Sequence, residues 1–352
     1  MKIVIVNKHR QDTLGGSEIQ CDLIASELVG RGHEVSYIAI SGSEKNYDVP
    51  YQVIPCKMEA DDIQNKIDAT QPDVIYWRFN RFFFYSTAKY SYKKKIPFIF
   101  AASSYGDVHP WDRNKKVRFL WALKRAYQMI WHRLGFNYID ALTVNNKEYL
   151  QVLSVRRQVF VPNGVIEKSV PFSWDKPFCL WVSNIKQIKR PELYIELARE
   201  FESEGVDFIM VGAIQEKAYD WIERGENLPQ NLHYAGSKSP EEVNGMLEKS
   251  LLQIHTCFAE GFPNIFIQAW LQGIPSVTYG FDPSNYITDN QMGYHSEEDW
   301  PTFVSHVKKL INSKEKRDLY GRNAEKFAKK LFRIQTAVDK LEELMESLVD
   351  KK

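Results

Sequence analysis

Short apolar runs alternate with amphipathic stretches along almost the whole chain. KIVIVN (2–7), EVSYIAI (34–40), VIYWRF (74–79), PFIFAA (97–102), ALTVNN (141–146) and VFVPNG (159–164) have the length and the β-branched and aromatic content of buried strands. Residues 17–31 put Ile19, Leu23, Ile24 and Leu28 on one face of a helix. Strands separated by helices predict a parallel, doubly wound sheet. The pattern restarts after Pro162-Asn163-Gly164-Val165, with runs at 178–184, 206–212, 232–236, 251–256 and 275–280. Helices are predicted between them at 191–201, 240–247 and 264–272. A last amphipathic stretch, 336–349, carries Leu341, Leu344, Met345 and Leu348 at helical spacing. The expected fold class is therefore α/β with two tandem Rossmann-like domains. They cover 1–165 and 178–335, joined by a linker at 166–177 that holds Pro171 and Pro177, and a terminal helical segment follows at 336–352.

A length of 352 residues suits two such cores rather than one. No apolar run reaches the length of a membrane span. Residues 1–6 lack the basic, apolar and small-residue regions of a signal peptide. Cys21, Cys56, Cys179 and Cys257 form no CxxC pair and the histidines no HxxxH spacing, so no metal site is expected and a reducing cytoplasm fits. Charge is shared unevenly: 23 basic against 16 acidic residues over 1–165, and 23 against 29 over 166–352. The first half is thus suited to an anionic partner, unless the imbalance is scatter over a large surface.

The chemistry-bearing residues gather after strands. Glu260 follows the run LLQIHT, and Gly261-Phe262-Pro263-Asn264 turns into a helix whose N–H groups point back to the same place. Gln268 lies eight residues beyond Glu260. Ser183-Asn184 and then Lys186, Lys189 and Arg190 follow the first strand of the second domain, where cations would meet a leaving diphosphate; a solvated basic turn is the plainer reading. Gly15-Gly16 follows the first strand and opens a helix, a place for an anion or a flexible N-terminal loop. It is not G-x-G-x-x-G, which disfavours a dinucleotide.

These stretches resemble the retaining, family-4 (group 1) glycosyltransferases of GT-B fold. The resemblance is carried by Glu260 with Gln268, Lys189-Arg190-Pro191, Gly273-Ile274-Pro275 and Pro162-Asn163-Gly164-Val165. It implies two domains facing a central cleft, the first for the acceptor and the second for the nucleotide-sugar. It also implies that the last helix returns to brace the first domain. Glu260 and Lys189 then take catalytic positions. Gly15, Gly16, Asn184, Arg190, Gly261, Phe262, Pro263, Asn264 and Gln268 line the donor. Ser103 with Asp107 or His109 takes the acceptor side. The resemblance further implies retention of configuration, no metal, and no cofactor beyond the co-substrate, a UDP- or GDP-sugar. Three positions depart from the family: Asn184 for Arg, Gln268 for Glu and Ser103 for His. They leave open an inactive relative that serves as a binding or partner subunit. A sugar-nucleotide epimerase and a nucleotide-cofactor oxidoreductase are further rivals.

The segment 111–138 sets Arg113, Lys115, Lys116, Arg118, Lys124, Arg125 and Arg133 against one acid, Asp112, with Trp121, Ile130, Trp131 and Leu134 as an apolar side. Such a helix either packs on the sheet with a basic outer face or lies on an anionic membrane surface. No nucleic-acid motif is present. The expected partners are the donor, a glycan or lipid-linked acceptor and the inner face of the membrane.

Overall fold

The computed structural model describes residues 1–350 apart from 14, 80–82, 109–118, 154, 166, 259 and 261, with backbone alone at 105, 119–125 and 151. It divides into two compact units, 1–164 with 333–352, and 165–332.

The first unit holds a seven-stranded parallel sheet: β1 (Lys2–Asn7), β2 (Glu34–Ile40), β3 (Gln52–Cys56), β4 (Val74–Trp77), β5 (Phe98–Ala102), β6 (Ala141–Val144) and β7 (Gln158–Phe160), in the order β3-β2-β1-β4-β5-β6-β7. One face packs Ile3, Ile5, Tyr37 and Ile99 beneath the Gly16–Gly30 helix. The other packs Val4, Val6, Trp77 and Phe100 with Ile63 and Phe84 from helices Ala60–Thr70 and Phe84–Lys94. The C-terminal helix, Ile334–Val349, belongs to this unit. Its Val338, Leu341, Leu344 and Met345 join the core beside Ile24 and Leu28, and Glu342 pairs with Arg31 and His33. Gly164 sits under the start of that helix, and a Cβ there would lie 2.8 Å from the Ile334 Cα.

The second unit holds six parallel strands: β8 (Phe178–Val182), β9 (Asp207–Val211), β10 (Leu232–Tyr234), β11 (Leu252–His255), β12 (Ser276–Thr278) and β13 (Gly293–His295), in the order β10-β9-β8-β11-β12-β13. Cores on its two faces gather around Trp181, Tyr194 and Phe208, and around Leu180, Ile209 and Met246. The stretch expected as a linker lies on this unit. The Val170 N–H donates to the Glu241 carbonyl at 2.9 Å, and Trp174 Nε1 donates to Asp207 at 2.9 Å.

In both sheets the chain reverses direction between the first and fourth strands, β1/β4 and β8/β11. That reversal opens a crevice at their carboxyl ends, where doubly wound folds bind ligands. The predicted runs overshoot the strands at these ends. Arg78, Asn145, Asn146, Ser183 and Asn184 lie past the last ladder pair and turn into the loops.

Candidate functional site

The crevice of the second unit is sewn together by buried polar contacts. After β8 the chain passes Ser183 and Asn184 into a short 3-10 turn, Gln187–Lys189, and Arg190 adopts φ 50° before helix Pro191–Glu200. Gly212 lets β9 pass closely, since a Cβ there would run into the Ser183 carbonyl oxygen. After β11, Thr256 Oγ1 donates to the Lys189 carbonyl at 2.7 Å and accepts from Trp181 Nε1 at 2.9 Å. Cys257 Sγ donates to the Ile188 carbonyl at 3.2 Å. These bonds fix the two loops against each other.

The result is an ion pair between Lys189 Nζ and Glu260 Oε1, with the side chains only 13% and 16% exposed. His255, the last residue of β11, is buried against Phe266 and brings Nε2 to 3.3 Å from the same Glu260 oxygen. Burial by itself would raise the Glu260 pKa. The Lys189 charge, followed by His255, outweighs it and holds the carboxyl well below the usual carboxylate range. A carboxylate held in its ionised form at neutral pH thus orients an ammonium, a pairing suited to an anionic leaving group and to sugar hydroxyls.

The other expected donor residues behave differently. Asn184 is half-buried and makes no side-chain hydrogen bond among the described residues. Arg190 pairs with Glu298 and lies over the Phe258 and Tyr279 rings. Pro263 begins helix Asn264–Leu271 without a side-chain cap. The Phe262 ring is buried against Trp270, Tyr286 and Phe332, so its side chain serves the core. Gln268 donates its amide to Asn244 Oδ1 at 2.9 Å and to the Pro240 carbonyl at 3.2 Å, which leaves Oε1 as its remaining acceptor. Gly261 lies outside the described residues.

In the first unit, Gly15 is extended at φ −157° and needs no glycine for its backbone. A Cβ there would instead collide with the Glu18 carboxylate, which stands over the helix end. Gly16 is exposed as the first helical residue. Asp107 Oδ2 accepts from the Ser103 and Ser104 N–H groups, each at 2.9 Å, and from Ser103 Oγ at 3.4 Å. Asp107 thus caps this turn through Oδ2 alone. His109 lies outside the described residues.

His255 escaped the sequence reading, although it ends the apolar run directly before Glu260. His255, Cys257 and Glu260 also bring ligating atoms within 4.8 Å of one another. The Lys189 ammonium already sits on Glu260, so a cation there would have to displace it. The donor set therefore fits an ion pair better than a metal.

Residues 165–327 match the family model described as glycosyl transferases group 1. The match falls within the second unit and spans nearly all of it. The two units together align with whole solved structures. Sucrose-phosphate synthase from Thermosynechococcus elongatus covers 100% of both chains at TM-score 0.81 and 13% identity. Anabaena HepE, solved with UDP and glucose, covers 99% of this chain and 100% of its own at TM-score 0.78 and 14% identity. WaaG, a glycosyltransferase involved in lipopolysaccharide biosynthesis, covers 99% of both at TM-score 0.74 and 15% identity. These likenesses establish the fold, the two Rossmann-like domains of GT-B glycosyltransferases. No curated protein matches the sequence.

Proposed function

We propose that the chain is a retaining, metal-independent glycosyltransferase that moves a hexose-type sugar from a UDP- or GDP-sugar to a hydroxyl of a glycan, a lipid-linked glycan or a small molecule. The observation that carries this reading is the Lys189–Glu260 pair with His255, at the carboxyl ends of β8 and β11 in the second unit. HepE was solved with UDP-glucose as well as with UDP, which favours a uridine donor here.

In this reading Glu260 holds donor-sugar hydroxyls and keeps Lys189 in place. The bond from the sugar C1 to the diphosphate oxygen breaks, and its electron pair leaves with the diphosphate. Lys189 stabilises that charge more in the transition state than in the ground state, which is what lowers the barrier. The acceptor oxygen forms the new bond to C1 on the same face, and its proton passes to the departing phosphate oxygen. The uncapped start of helix Asn264–Leu271 adds backbone donors, and Gln268 Oε1 accepts from a ribose hydroxyl. The Lys189 ammonium supplies the positive charge that a metal would otherwise bring. Incubation with UDP- and GDP-hexoses and an acceptor panel, with the product anomer read by NMR, tests the reading. Transfer with inversion, or donor consumption without any acceptor, would count against it.

No described helix is long and apolar enough to cross a membrane. Helix Phe119–Gly135 nevertheless leaves Tyr127, Ile130 and Leu134 exposed at helical spacing, beside Arg133. This face supports docking on an anionic membrane surface. The remaining basic residues of the expected patch lie mostly outside the described residues. Binding to anionic vesicles no stronger than to neutral ones at low salt would sink this part.

A further inference from the structure

The crevice of the first unit, between the carboxyl ends of β1 and β4, holds a feature that no comparison assigns. Arg78 follows β4 directly and is only 6% exposed. Its backbone N–H donates to the Val6 carbonyl at 3.1 Å, and its carbonyl accepts from Ser17 Oγ at 3.5 Å. Ser17 stands in the first turn of the Gly16–Gly30 helix and also accepts from Asn7 Nδ2 at 3.0 Å. Arg78 is thereby pinned between β1, β4 and the start of that helix.

The guanidinium is buried with no carboxylate in direct contact; Asp107 and Glu18 act on it only through space. Nη2 donates to Asn163 Oδ1 at 2.9 Å, and Nη1 lies 3.4 Å from the Tyr76 hydroxyl. Both partners are neutral. Nε is buried with no partner, and no Asp or Glu pairs with Arg78 among the described residues. An arginine cannot shed its charge, and an unpaired buried charge is costly. An orphaned buried donor on such a group asks for a partner that arrives from outside. The N–H groups of the adjacent helix are already faced by the Glu18 carboxylate, which leaves the guanidinium as the donor in search of a partner. Glu18, the one acid of that first turn, does not neutralise Arg78 by direct pairing. Burial raises its pKa, while its own backbone N–H, then Lys8 and Arg78, pull against that.

We infer that Arg78, with Asn163, binds an oxyanion of phosphate or carboxylate type, carried by the acceptor. The acceptor assignment rests on the transferase reading, because the donor-binding domain matched by the family model begins only at residue 165. Oxyanion binding itself does not depend on that reading. The fork of an arginine suits two oxygens of one phosphate or carboxylate, with Nε as the unused prong. Neutral acceptors would leave the guanidinium unpaired and should be poor substrates.

The test is NMR of the full-length protein labelled with 15N-arginine, following the Arg78 Nε–Hε signal, which is identified by its loss in Arg78→Lys. The probes are inorganic phosphate and glycerol 3-phosphate, against sodium chloride and glycerol at equal ionic strength. The expected result is a saturable shift with both phosphates and neither control, with affinity at least about tenfold weaker in Arg78→Lys by calorimetry. Saturable binding to the wild type is the primary readout, so a poorly folding variant does not remove it. The absence of a phosphate-specific shift overturns the inference. If UDP moves the same signal and phosphate competes with UDP, the anion belongs to the donor and the acceptor assignment falls. If Lys189→Ala abolishes UDP binding while the Arg78 response to phosphate persists, the assignment stands. Failure of the wild type to bind any nucleotide would refute the transferase reading and leave the phosphate titration intact.

Discussion

Replacing Glu260 with Gln removes the counter-charge of a lysine that is almost buried. Glu260→Gln keeps the shape and one acceptor oxygen beside Lys189 and His255. Its effect is therefore the loss of charge. Breaking a buried pair from one side costs about 3–5 kcal/mol. Two limits narrow this figure. An amide oxygen still accepts from the ammonium, so the loss is at least the difference between a charged and a neutral hydrogen bond, about 1.5 kcal/mol. The ammonium can instead release its proton, which for an ordinary lysine at about pH 7.5 costs about 4 kcal/mol and caps the penalty. A destabilisation of about 2–4 kcal/mol is expected at that pH, and the cap falls by about 1.4 kcal/mol for each unit of higher pH. In the wild type the sign runs the other way. The folded Glu260 pKa is depressed, so its contribution is present above the ordinary carboxylate pKa and fades as pH falls through the lower folded value. The variant loses that acid-side dependence. Urea unfolding, followed by fluorescence at three pH values, for Glu260→Gln, Lys189→Met and the double variant reads both effects; Trp181 and Trp270 are buried in this domain. A loss below about 0.5 kcal/mol, the size of an exposed pair, or a loss that grows as pH rises above about 7.5, would refute the reasoning.

Three further outcomes follow from the same geometry. Lys189→Ala should lower turnover by about 10²–10³-fold, as does removal of one group that stabilises developing charge, while circular dichroism shows an intact fold. His255→Phe should retain the packing against Phe266 but lose the Glu260 contact, lowering turnover by about tenfold with little change in melting temperature; His255→Gln should recover part of it. Gly164→Ala should push against the Ile334 backbone and cost about 1–3 kcal/mol, seen as a lower urea midpoint and faster proteolysis near the C-terminal helix.

The interior strands were legible because burial on both sheet faces makes them continuous apolar runs. β3 and β13 were not: both are edge strands, one interrupted by Pro55 and the other only three residues long, so neither carries the apolar signal. Helices Trp300–Ile311 and Lys314–Leu331 went unassigned although Asp299 and Ser313 cap them; the second is dense in charged residues, whereas Phe303, Val307 and Leu310 give the first a readable apolar stripe. At the site, Lys189 and Glu260 were found from their positions after strands. Their direct pairing depends on Thr256 and Cys257 tying two distant loops together, a tertiary fact without local signature. Arg78 carried a signal that went unused, a charged residue ending a fully buried run. The commitment of Gln268 to Asn244 and the capping role of Asp107 are likewise visible only once the helices and loops are in place.

Calorimetric titration of UDP and GDP into the wild type and Lys189→Ala tests the central claim, that the Lys189–Glu260 pair is a nucleotide-sugar site. The account predicts binding of one of the two by the wild type, weakened at least about tenfold in the folded variant. Equal binding by both proteins, or no binding of either nucleotide to the folded wild type, would contradict it.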